Sequence, residues 1–176
     1  MSKEQPKHHE RPIKIHHMTA RTQTLLEQKL AAYKKADIQY SLDIGQSGDT
    51  NDFHDNFAFD EANRNHERTL AQIANLENIL KDVAIVTPRK ETDTVGIGNE
   101  VYITYEGEDP MHVTVLYPLD AANCKDHSWI SYESLLGKTL LGHKEGDTVQ
   151  IPSRDDAGRL LSTHNVTVHA IMPGRF

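Results

Sequence analysis

Apolar positions follow a helical rhythm in the first half of the chain and an alternating one in the second. Leu26, Leu30, Tyr33, Tyr40 and Ile44 recur in steps of four and three, and Asp37 occupies the place that the rhythm reserves for an apolar residue. Thr19 is positioned to cap that helix. After the glycine-rich break at Gly45 to Gly48 a second series begins, with Phe59, Ala62, His66, Thr69, Ile73, Leu76, Leu80 and Val83 spaced 3-4-3-4-3-4-3. Two seams of matching length joined by a short turn predict an antiparallel helical hairpin, a coiled coil, over residues 18–86. Thr87 and Pro88 are expected to end its second helix, and residues 87–94 read as a linker. At 1.5 Å per residue, Asp55 would stand roughly 40 Å from Val83, at the far tip of an arm.

Beyond the linker the pattern becomes β-rich. Val101–Tyr105 and His112–Tyr117 flank turn residues Gly107 to Pro110 and predict an antiparallel pair. Trp129–Tyr132, Thr148–Ile151 and His164–Ile171 supply further strands, and Ser134 to Leu141 forms a short helix closed by Gly142. Residues 95–176 therefore read as a small antiparallel β domain with a short helix, and the whole chain as α+β. His112, His127, His143, His164 and His169 are read as surface or hydrogen-bonded residues rather than metal ligands. Residues 1–17, polar and carrying two His-His pairs, are expected to form a disordered arm.

Composition narrows the setting. The 176 residues are 37% hydrophobic with a net charge of -7, which suits an elongated shape with a modest core and argues against nucleic acid as the main partner. A weak DNA or RNA contact remains open through Arg21, Lys34, Lys35, Arg64 and Arg68, for which a solvated coiled-coil face is the simpler reading. One cysteine, Cys124, precludes an internal disulfide, and no apolar run reaches a membrane-spanning length. The expectation is a cytoplasmic, monomeric protein without a membrane partner.

The arm tip concentrates charge. From Ala36 to Asn63 there is no Lys or Arg, yet Asp37, Asp43, Asp49, Asp52, Asp55, Asp60 and Glu61 occur, with Phe53, Phe57 and Phe59 among them. Such a cluster is either solvated, neutralised by a metal, or met by a basic partner. A helix dipole accounts for one or two acids, but not for exposed phenylalanines among them.

The layout resembles the bacterial transcript cleavage factors GreA and GreB. Met18-Thr19 with Leu26 and Leu30 is similar to the family's M-T start, although Thr22 and Lys29 stand where Gly and Glu are common. Asp52-Phe-His-Asp55-Asn56-Phe-Ala-Phe59 resembles the family's G-D-L-S-E-N-A-E-Y tip, with Asp55 in place of Glu and Phe59 in place of Tyr. Ile97-Gly98 resembles its F-G segment. The longest match is the run from Ile130 to Asp147, close to I-S-x-x-S-P-L-G-x-A-L-L-G-K-x-x-G-D, in which Leu135 replaces Pro.

The resemblance implies an FKBP-like second domain that docks on RNA polymerase through Ser134, Leu135, Leu136 and Gly137. It implies a hairpin tip that enters the secondary channel and stimulates Mg-dependent cleavage of backtracked RNA. Asp52 and Asp55, three residues apart and so on one helical face, would hold a Mg²⁺ shared with polymerase near the nascent RNA end, and Asp49 is a further candidate ligand. Asn56, Phe57 and Phe59 would pack the tip. On this reading the chain has no intrinsic cofactor and is an accessory factor rather than an enzyme. The alternatives are a channel-binding regulator that inhibits or modulates without stimulating cleavage, a prolyl isomerase, and a plain coiled-coil adaptor. The isomerase suffers from having only 6% aromatic residues to line a pocket.

Overall fold

The computed structural model describes residues 14–47, 57–123 and 128–176. A short strand β1 (His16–Met18) leads into helix α1 (Ala20–Ser47), which returns as α2 (Phe57–Lys81). The two helices pack along the predicted seams. Leu26, Ala62, Thr69 and Leu76 are buried, while Leu30, Tyr33, Asp37, Tyr40, Ile44, His66 and Ile73 are half-buried between them. Thr19 caps α1 as expected, its Oγ1 accepting from the Thr22 N–H at 3.2 Å.

Two boundaries differ from the expectation. Helix α2 stops at Lys81 rather than at Thr87-Pro88, because Val83–Ile85 forms strand β2 and pairs in parallel with β1. Val-Ala-Ile, with two β-branched residues of three, suits a strand, and the His16–Met18 backbone supplies its partners. His16 and His17 thus belong to an ordered strand and not to a disordered arm. Residues 87–94 are also stitched down: the Arg89 N–H donates to the Gly98 carbonyl at 3.2 Å, and the Gly174 N–H donates to the Arg89 carbonyl at 3.1 Å.

The second unit is a five-stranded sheet of β3 (Asn99–Tyr105), β4 (Met111–Leu116), β5 (Trp129–Ser131), β6 (Thr148–Arg154) and β7 (Leu160–Pro173), in the order β5-β4-β3-β7-β6. The pairs β3–β4, β3–β7 and β6–β7 are antiparallel, and the edge strand β5 runs parallel to β4. A parallel neighbour needs a crossover, and the short helix α3 (Pro118–Asn123) lies within it. Pro118 suits that helix start because a first-turn N–H needs no partner. Helix α4 (Leu135–Leu140) follows β5 and buries Leu140 against Val101, Ile103, Val113, Val115, Val166 and Val168, the alternating positions of the central strands. A second cluster, Met18, Leu26 and Leu76, lies at the base of the hairpin and takes in Leu119 of α3.

Candidate functional site

The segment expected to dock is built by α4 and the turn before it. Ser134 is the N-cap, with φ -64° and ψ 161°; its hydroxyl donates to the Ser131 carbonyl at 2.6 Å and accepts from the Gly137 N–H at 3.0 Å. One side chain thereby closes the turn and starts the helix, so the rigidity expected of proline is supplied without it. Leu135 occupies the first helical position and is 52% exposed, an apolar knob raised from the surface, while Leu136 is packed against the sheet core. Gly137 is buried, and a Cβ there would run into the Ser131 carbonyl. Only glycine lets α4 sit this close to the strand end.

Beside this segment a cleft of about 520 Å³ opens between the hairpin base and the sheet, lined among others by His17, Asn75, Ile79, Tyr117, Tyr132 and Glu133. The His17 ring stacks on Tyr117 at 4.8 Å, and Tyr117 meets Tyr132 edge-on at 5.2 Å. The Glu133 carboxylate accepts from the Tyr132 hydroxyl at 2.9 Å, and this bond raises the Tyr132 pKa above its ordinary 10.0.

The arm has a different surface. Ile38 and Leu42, one helical turn apart on α1, are 64% and 54% exposed, and Phe57 at the start of α2 is 66% exposed. Phe59 is half-buried, as a seam position requires. Asp49, Asp52, Asp55 and Asn56 lie outside the described residues. Among the described residues no group of three or more His, Cys, Asp or Glu is placed to hold a metal. The donor chemistry at the tip is nonetheless that of a hard-cation site, carboxylates without a nearby Lys or Arg. Lys34 pairs with Glu77 at 2.7 Å on a half-exposed face, which favours the solvated reading of that cation.

The histidines behave as expected where they are described: His143 contacts Asp147 at 3.1 Å, His164 contacts Ser162 at 3.0 Å and His169 contacts Thr104 at 2.7 Å. Helix α3 has no counterpart among the elements that periodicity predicts, and its Asp120 carboxylate reaches the start of α1. No spacing rule links residues a hundred positions apart, but an Asp following Pro118 in a first helical turn marks a short helix.

Comparison of the sequence with known proteins sets the class, that of transcription factors. The model of the family described as "Transcription elongation factor, GreA/GreB, C-term" matches residues 90–159. The transcription elongation factor GreA of Mycoplasmopsis pulmonis is 30% identical over 117 residues, 65% of this chain and 71% of that protein. GreA of Acholeplasma laidlawii is 29% identical over 144 residues, 80% of this chain and 89% of that protein. The transcription inhibitor protein Gfh1 of Thermus aquaticus is 28% identical over 123 residues, 66% of this chain and 75% of that protein. Among solved structures, GreA factor homolog 1 of Thermus thermophilus superposes with a TM-score of 0.41 at 24% identity, over 90% of this chain and 99% of that one. The chain belongs to the GreA/GreB family of transcription elongation factors.

Proposed function

We propose that the protein is an accessory factor of RNA polymerase. It docks through the Ser134–Gly137 turn, passes its hairpin down the secondary channel, and stimulates Mg-dependent cleavage of backtracked RNA by the polymerase. The observation that carries this reading is the long hairpin, whose outer part exposes Ile38, Leu42 and Phe57. Apolar side chains near an acidic tip cost solubility unless the arm enters a partner.

Asp52 and Asp55 are the residues that would hold Mg²⁺, with Asp49 as a further ligand; two carboxylates suffice because this ion keeps several waters. A Mg²⁺ held jointly with the polymerase would supply Lewis-acid polarisation of the phosphodiester and a more acidic bound water. The protein's own contribution is to carry the carboxylates to the RNA end, to hold them there, and to keep competing cations away. The absence of Lys and Arg between residues 36 and 63 serves the last task. The protein is then not an enzyme by itself, and it works in the cytoplasm, where transcription takes place.

A second reading, a channel-occupying inhibitor, is favoured by two observations. Asp49 adds an acid to the tip, and the inhibitor Gfh1 is among the relatives of similar identity. A stalled, backtracked complex of the cognate polymerase with labelled RNA separates the two readings. Faster shortening of the RNA with the native protein, lost in Asp52→Ala and Asp55→Ala, is the expected result. Binding without shortening, accompanied by slower synthesis, would establish the inhibitor instead.

A further inference from the structure

Among the described residues Asp120 is the only ionisable side chain in the buried class, with 0% exposure. It lies in α3 of the sheet unit, and its partner lies in the hairpin. Asp120 Oδ1 accepts from the Thr19 N–H at 2.8 Å and from the Thr19 hydroxyl at 2.9 Å. The Thr19 hydroxyl also lies 3.2 Å from Thr22 Oγ1. Its single proton belongs to the shorter bond, because a carboxylate is the stronger acceptor. Asp120 Oδ2 has no hydrogen-bond partner among the described residues.

A buried carboxylate is costly unless it is paired. This one is compensated from a single direction, by the N-cap residue of a 28-residue helix and by the positive end of that helix. A small tilt of α1 breaks both bonds before water can reach the carboxylate, so the energy rises with the first departures from the angle seen here. Weaker contacts surround the grip: Arg21 Cζ lies 5.4 Å over the Trp129 ring, and Lys29 Nζ donates to Asn123 Oδ1 at 2.7 Å. An arm of this length magnifies any error at its root. A 10° tilt at Thr19 moves the far end of α1 by about 7 Å at 1.5 Å rise per residue.

We propose that Asp120 is a positioning residue: by gripping the N-terminus of α1 it fixes the angle at which the arm leaves the sheet unit, and hence where the tip carboxylates come to rest in the polymerase. The first half of this statement concerns the free protein; the second rests on the function proposed above.

The test uses the full chain with Cys124→Ser and spin labels on cysteines at two exposed positions, Arg64→Cys on α2 and Glu108→Cys in the β3–β4 turn. Dipolar spectroscopy should give one narrow distance distribution for the parent. Asp120→Ala should broaden and shift it by several ångströms, whereas Asp120→Asn, which keeps an acceptor for both Thr19 donors, should stay close to the parent. Thr19→Ala provides a second route to the same broadening if Asp120→Ala fails to fold. Distributions unchanged in every folded variant overturn the proposal.

A parallel assay on backtracked complexes should find polymerase affinity within about twofold of the parent and the maximal cleavage rate lowered about 10- to 100-fold in Asp120→Ala, as expected for misplaced reacting groups. Equal loss of affinity and rate would mark a merely structural role and count against positioning. Absence of cleavage with the parent protein would defeat the proposed function, while the distance measurement would still decide whether Asp120 sets the angle.

Discussion

His66 Nε2 on α2 lies 2.9 Å from Asp37 Oδ1 on α1, a polar contact without hydrogen-bond alignment, with Ser41 Oγ 3.5 Å from the same nitrogen. Both side chains stand on the hairpin seam and are just over a quarter exposed, so water screens the pair in part, although Asp37 Oδ1 itself is out of its reach. Its contribution is about 0–1 kcal/mol, whereas apolar side chains on a seam bury area to advantage. The paired replacement Asp37→Leu with His66→Leu should therefore raise the thermal midpoint of the hairpin, followed by helical circular dichroism. A lower midpoint would mean that the polar pair is needed to hold the register of the two helices.

Gly137→Ala should destabilise the turn before α4 by about 1–3 kcal/mol, because the added methyl overpacks a site already in contact with the Ser131 carbonyl and the Tyr132 backbone. Denaturant titration measures the loss. A pull-down on immobilised polymerase should show weaker retention at temperatures where the variant is still folded.

Leu135→Pro should have the opposite sign. Ser134 already has the extended backbone that a residue before proline requires, and Leu135 is the first helical residue, where a missing N–H does no harm. A gain of about 0.4–1 kcal/mol from the stiffer unfolded chain is expected. A loss in the same titration would show that the exposed Leu135 side chain stabilises the free protein in some other way.

Asp147 gives a pH dependence of defined sign. The Lys144 backbone N–H, bonded at 2.8 Å, and then the His143 ring hold its pKa below the ordinary 3.8. A depressed carboxylate stabilises the fold above its ordinary pKa, and that contribution is lost as the pH falls through the lower folded value. The difference in melting temperature between the native protein and Asp147→Asn should be constant near pH 6 and shrink below about pH 4. A difference that does not change with pH would show that the Asp147 charge plays no part.

Much of the architecture was legible because it rests on local periodicity. Leu26, Leu76 and the alternating Val101, Ile103, Val166 and Val168 report their burial by spacing alone. The short capped helix was legible as a motif, from Ser134 to Gly142. Short pieces were not: β1 and β2 are three residues each, too brief for a period, and α2 was read through Val83 because a strand residue fell in phase with the helical seam. The tip residues Asp52 and Asp55 were proposed from composition and resemblance, and they lie outside the described residues.

The sequence by itself determined the two helices, the strand alternation and the charge at the arm's end, since each depends on neighbours within a few residues. Tertiary structure alone decided how the arm is joined to the sheet. That joint depends on β1 meeting β2, on His17 stacking against Tyr117, and on Thr19 meeting Asp120 across 101 positions of chain. Contacts of such separation leave no periodic trace; they exist because packing Met18 and Leu119 into one apolar cluster carries a helix start and a buried carboxylate to the same place.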